Sequence, residues 1–133
     1  MRWRRALAIL CAVIVGAWLA FDGARALIVG DYVTPSSGRF AGRLGPWSQL
    51  FTAIGVDPRS TGVKAIHVVV GGLILLGTLA LLVREKRAKP AFLITCALGL
   101  WYLPFGTLLL GVAIVLAAAT PSAAPRSTPH PPP

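Results

Sequence analysis

The stretch VKAIHVVVGGLILLGTLALLV, residues 63–83, decides the fold of this chain. Its only ionisable residues are Lys64 and His67, and both lie near its first end. A helix needs about 20 predominantly apolar residues to cross the roughly 30 Å hydrocarbon core of a bilayer. We therefore predict that residues 62–83 form a membrane-spanning helix.

Two further apolar runs, residues 6–21 and 91–119, flank this stretch. The chain has 133 residues, of which 56% are hydrophobic and only 13% are charged, and its mean hydropathy is +0.74. This composition is typical of the membrane class, and it leaves too little polar sequence for a separate soluble domain. We predict an all-α transmembrane helical bundle over residues 1–119.

The first apolar run has two interpretations. Arginines precede it and Ala24-Arg25-Ala26 follows it, as in a secretory signal with a cleavage site. The apolar sequence nevertheless continues through residues 27–29, which makes the helix long enough to cross a bilayer. We favour an uncleaved first span over about residues 5–29, with Gly30 as its natural stop.

Small residues recur at every fourth position of this first span. Such a stripe lets a neighbouring helix approach closely, so we predict a packing face for a second copy or a partner protein. The alternative is that alanine is simply abundant here. The stripe consists of Ala8, Ala12, Gly16, Ala20 and Ala24.

The segment between the first two spans, residues 31–61, is polar and rich in Gly, Pro and Ser. Within it, residues 46–54 are predicted to form a short helix that has Pro46 in its first turn and is closed by Gly55. One face of this helix is apolar, so we expect it to lie on the membrane surface or to cap the bundle. Ser60 or Thr61 is expected to cap the second span.

The last apolar run, residues 90–119, would be about 45 Å long as one straight helix, which exceeds the bilayer core. It is interrupted by WYLPFGT, residues 101–107. Two arrangements remain: one kinked third span, or two short spans over residues 90–103 and 105–119 joined by a turn at Pro104, Gly106 and Thr107. We favour the second, which gives four spans.

The basic residues predict the orientation. Arg2, Arg4 and Arg5 precede the first span, and Arg84–Lys89 lies between the second and third apolar runs. Basic clusters beside membrane spans face the cytoplasm, where they contact anionic lipid headgroups. We therefore expect the formal charge of +9 to reflect contact with lipid headgroups and not with nucleic acid. Residues 31–61 are then extracytoplasmic. The proline-rich tail, residues 120–133, is predicted to be disordered, inside with four spans and outside with three.

Four segments carry a resemblance to known proteins: GDYVTPSSG (30–38), LGPW (44–47), GVDPRST (55–61) and WYLPFGTL (101–108). In these segments the chain resembles small bacterial four-span membrane proteins of unknown function, over roughly residues 20–119. The resemblance implies an uncleaved first span, a hairpin of two short final spans and a bacterial cytoplasmic membrane location. It implies no activity.

Ionisable residues inside spans are functional candidates by default. Asp22 lies near the outer end of the first span, and Lys64 and His67 lie near the outer end of the second. We hypothesise that Asp22 pairs with His67 or Lys64 across the contact between these helices. In the alternative interpretation each side chain reaches the outer interface independently.

The sequence offers little catalytic chemistry. No metal-ligand spacing or phosphate-binding loop occurs, Cys11 and Cys96 are expected to be free packed thiols, and Ser36 or Ser37 with His67 would be a hydrolase pair on composition alone. We therefore expect no catalytic, cofactor-binding or metal site. The first hypothesis is a non-enzymatic structural or accessory subunit, with a small oligomeric transporter and a membrane enzyme as alternatives.

Overall fold

A computed structural model describes residues 2–121, which fold into five α-helices with no strand in this range. The helices are α1 (Arg2–Val29), α2 (Trp47–Ala53), α3 (Thr61–Val83), α4 (Glu85–Leu98) and α5 (Phe105–Ala118). The predicted helical class is confirmed. The predicted disordered tail falls almost wholly on residues 122–133, which lie outside the described residues.

Two of the helices are long and apolar enough to cross a membrane. They are α1, with 28 residues, and α3, with 23 residues, and they correspond to the first two predicted spans. The shorter α5 is also apolar but has only 14 residues.

The four long helices surround a common core in the order α1, α3, α4, α5, and each packs against two neighbours. Arg5, near the start of α1, donates hydrogen bonds to Leu81 and Glu85, where α3 ends and α4 begins. Lys89 of α4 donates to the backbone oxygen of Thr120, just after α5. Neighbouring helices are therefore antiparallel, and we call the end that holds Arg5 and Lys89 the basic end.

The most extensive contact, between α1 and α3, brings the two backbones together at glycines. A Cβ atom placed on Gly71 would lie 2.5 Å from the backbone nitrogen of Ala20 and 2.7 Å from the backbone oxygen of Gly16. A Cβ atom on Gly23 would lie 2.9 Å from the backbone oxygen of Lys64. Only residues without a side chain permit this separation, as in small-residue helix interfaces.

The fourth helix differs from the prediction at both ends. It starts at Glu85 and not at Pro90, because Pro90 lies inside the helix and removes only one backbone donor. The charged residues before it are adequate helix formers, and Glu85 in the first turn suits the positive end of the helix dipole. It ends at Leu98 and not at residue 103, since the chain turns from Gly99 onward.

The predicted turn between the last two helices is present. The backbone oxygen of Tyr102 accepts hydrogen bonds from the amides of Gly106 and Thr107, and the Thr107 hydroxyl donates to the backbone oxygen of Leu100. The peptide bond between Leu103 and Pro104 is cis. A Cβ atom on Gly106 would lie 2.7 Å from Cβ of Tyr102, so this glycine lets α5 begin directly above the turn.

The segment that connects α1 to α3, residues 30–60, folds over the end of the bundle opposite the basic end. Gly30 ends α1 with a φ of 107°, in the left-handed region that glycine tolerates. The side chain of Ser60 accepts a hydrogen bond from the amide of Val63 and caps α3, as predicted. Between them, α2 is one residue shorter at each end than the predicted 46–54 helix, and its Trp47 is buried.

Candidate functional sites at the two ends of the bundle

The connecting segment covers the end of the bundle opposite the basic end, and we call this the capped end. Four aromatic rings there enclose His67, a fully buried residue of α3. The ring centroids lie 4.5 Å from the imidazole for Trp47, 4.9 Å for Tyr32, 5.1 Å for Trp101 and 5.9 Å for Tyr102. The rings come from the connecting segment, from α2 and from the turn after α4. This aromatic cage therefore packs the connecting segment, α2 and the turn after α4 around a single side chain of α3.

The hydrogen bonds of His67 define its tautomer. Its Nδ1 lies 2.9 Å from the backbone oxygen of Val63, which can only accept, so Nδ1 carries the proton. Nε2 is buried and has no hydrogen-bond partner within the described residues. The imidazole is thus held as a packed ring inside the aromatic cage, with several edge-to-face contacts.

The hypothesised ion pair of Asp22 with His67 or Lys64 is not formed. Asp22 is buried, and its Oδ1 accepts a hydrogen bond of 2.8 Å from the amide of Val33. Lys64 instead donates a bond of 2.6 Å to the backbone oxygen of Gly30. Both side chains therefore bond to backbone groups of the segment that follows α1. Comparing the positions of charges along the two helices does not predict these bonds.

Further bonds tie the connecting segment down. Arg59 forms an ion pair of 3.1 Å with Asp31 and donates to the backbone oxygen of Gly42. The hydroxyl of Tyr32 donates to the backbone oxygen of Pro58 at 3.1 Å. Burial, followed by the nearby charge of Asp22, raises the pKa of Tyr32, so this hydroxyl keeps its proton.

The predicted small-residue stripe lies inside the bundle. Ala8, Ala12 and Gly16 are buried, while Ala20 and Ala24 are partly buried. Gly16 and Ala20 face α3 of the same chain at the contact with Gly71. The expectation that the stripe receives a second copy or a partner is corrected at these two positions, because the chain's own α3 occupies them.

The basic end holds the second candidate site, a cleft of about 560 Å³ between the start of α1, the α3–α4 junction and the end of α5. Arg5 crosses it, with its Nη1 2.9 Å from Glu85 and its Nη2 2.8 Å from the backbone oxygen of Leu81. Its Nε is buried without a hydrogen-bond partner in the described chain. Arg2, Lys86 and Lys89 also line the cleft.

A third feature is an apolar groove of about 620 Å³ on the outside of the bundle, between α1 and α5. Trp18, Phe21 and Phe105 border it and are exposed. The Nε1 of Trp18 donates a hydrogen bond of 2.9 Å to the hydroxyl of Tyr102, which fixes one wall.

The remaining candidates are not brought together. Ser36 and Ser37 are exposed, whereas His67 is enclosed by the aromatic cage, so the hydrolase pair is not assembled. Cys11 and Cys96 are free and buried. No group of three potential metal ligands occurs within residues 2–121.

The aromatic cage and the bond between Arg5 and Glu85 are not among the contacts predicted from the sequence. WYLPFGT predicts only an interruption of the last apolar run, yet Tyr102 is buried and Trp101 is partly buried against His67. One signal was available: His67, Trp47 and Trp101 all fall at the same end of a four-helix arrangement.

Comparisons with protein-family models, with curated proteins and with solved structures give no match to this chain.

The bonding of Asp22 predicts different effects for two substitutions. Asp22→Asn keeps an oxygen acceptor for the amide of Val33, so the thermal unfolding midpoint in mild detergent should stay close to that of the unchanged protein. Asp22→Ala leaves that amide unpaired and should lower stability by about 1–3 kcal/mol.

Asp57→Ala is the control for this comparison, because Asp57 is exposed and also accepts a backbone amide, that of Arg59. It should destabilise less than Asp22→Ala. If Asp22→Asn proves as damaging as Asp22→Ala, the charge of Asp22 is what matters and the ion-pair hypothesis returns.

Proposed function

We propose that this chain is a four-span integral protein of a bacterial cytoplasmic membrane, and that it serves as a non-enzymatic accessory subunit of a membrane complex. The observation that carries the membrane orientation is the segregation of charge. Seven cations and one carboxylate belong to the basic end, against five cations and three carboxylates at the capped end. The positive-inside rule then places the basic end in the cytoplasm.

The fold supports counting α4 and α5 as spans. They run antiparallel to each other and pack side by side with the two longer helices. Each has only 14 residues, or about 21 Å, so the bilayer must thin or the flanking residues must reach the interface. Lys89 is placed for this, since its long side chain extends to the end of α5.

The packing supports an accessory role. The buried polar side chains of the described bundle are Asp22, His67 and Thr78, and each bonds to a backbone group instead of lining a polar path. Since Gly16 and Ala20 of the small-residue stripe already face α3, a partner must use the lipid-facing surface. The groove between α1 and α5 is the best candidate, and an apolar transmembrane helix of a partner protein matches its chemistry.

Cysteine labelling tests the topology. In a Cys11→Ala, Cys96→Ala background, a membrane-impermeant maleimide added to intact cells should label Ser37→Cys. It should label Arg87→Cys and Ala119→Cys only after permeabilisation, because both lie at the basic end. Labelling of Ala119→Cys from outside would establish three spans, and labelling of Arg87→Cys from outside would reverse the orientation.

Native mass spectrometry of the protein purified in mild detergent tests the accessory role. We expect a stoichiometric partner protein. Ala17→Phe, which fills the groove, should reduce its recovery about tenfold, as expected for an overpacking cost of 1–3 kcal/mol.

Gly111→Phe is the matched control, because a side chain there meets open space and Gly111 does not line the groove. It should leave the recovery of the partner unchanged. A homo-oligomer without a partner would contradict the accessory role and favour the small-transporter alternative.

A further inference from the structure

The cleft at the basic end is lined by four cations, Arg2, Arg5, Lys86 and Lys89. The apolar residues that also line it, Ala8, Leu81 and Ala117, are at most 6% exposed and form a closed floor. A ligand that fills the cleft must therefore present an anion to the cations.

The cations of the cleft do not all have hydrogen-bond or ion-pair partners within the described chain. Both terminal nitrogens of Arg5 donate hydrogen bonds, to Glu85 and to the backbone oxygen of Leu81, but its Nε is buried without a hydrogen-bond partner. Arg2 and Lys86 form no ion pair among residues 2–121. Glu85 therefore offsets only one of the four cations that line the cleft.

We infer that this cleft binds the phosphodiester headgroup of one anionic phospholipid, whose acyl chains remain outside the cleft in the bilayer. The inference deepens the proposed membrane function and rests on it, because the cleft then opens at the level where headgroups meet acyl chains. Arg2 and Lys86 contact the phosphate, and Lys89, which already bonds to Thr120, closes the site from α4.

The charge of the lining selects the headgroup. A zwitterionic lipid such as phosphatidylcholine would bring an ammonium group among four cations, and this repulsion would offset the phosphate contacts. An anionic lipid such as phosphatidylglycerol brings no cation. Loss of two basic residues that contact the headgroup should weaken binding by about 30-fold.

The test is lipid titration of the full chain in detergent, with the one-to-one lipid adduct counted by native mass spectrometry. The probes are phosphatidylglycerol, phosphatidylcholine and inorganic phosphate. The cleft variant is Arg2→Gln with Lys86→Gln. The control is Arg84→Gln with Arg87→Gln, which removes the same charge from the same end but outside the cleft lining.

We expect a single phosphatidylglycerol adduct, weakened about 30-fold in the cleft variant and less than about twofold in the control. Equal weakening in both variants, or equal binding of phosphatidylcholine, would overturn the site. Displacement of the lipid by millimolar phosphate would also overturn it and assign the cleft to a free anion. Because binding in detergent does not depend on orientation, cysteine labelling can fail while this test succeeds, and the reverse.

Discussion

The contact between the backbones of α1 and α3 is the constraint on which the other parts of this protein depend. A Cβ atom on Gly71 would clash with the backbone of Gly16 and Ala20, and one on Gly23 would clash with the backbone of Lys64. At this separation dispersion contacts run along the whole interface, which is the main attraction between helices when the surroundings are as apolar as the helices themselves. The remaining helices are then placed against a rigid pair.

Both candidate sites follow from that pair. At the capped end, the close approach sets Asp22 and His67 at similar depth, where the connecting segment returns over them and the aromatic cage closes. At the basic end, the same antiparallel pairing brings Arg5 of α1 to Leu81 and Glu85. The basic cleft exists because the hairpin of α4 and α5 completes this end, with Lys89 bonded beyond the end of α5.

The sequence was sufficient for what depends on local chemistry. Hydropathy predicted the helical class and the extents of α1 and α3, and Gly30, Ser60 and Gly106 marked a helix stop, a cap and a turn. It was insufficient where partners come from distant parts of the chain. The amide of Val33 receives the carboxylate that was hypothesised to pair with His67 or Lys64, and the aromatic residues of the last turn pack on His67. The start of α4 differs because the helix continues back through the charged residues 85–89, which hydropathy does not mark as part of a span.

The most direct test compares alanine substitutions at two adjacent glycines of α3, Gly71 and Gly72. Alanine is favoured over glycine inside a helix by about 1 kcal/mol, and at Gly72 the added methyl group meets open space. The thermal unfolding midpoint of Gly72→Ala in mild detergent should therefore equal or exceed that of the unchanged protein. Gly71→Ala should lower it markedly, because its methyl group would strike the backbone of Ala20. Equal midpoints for the two variants would contradict the contact between α1 and α3 on which this account is built.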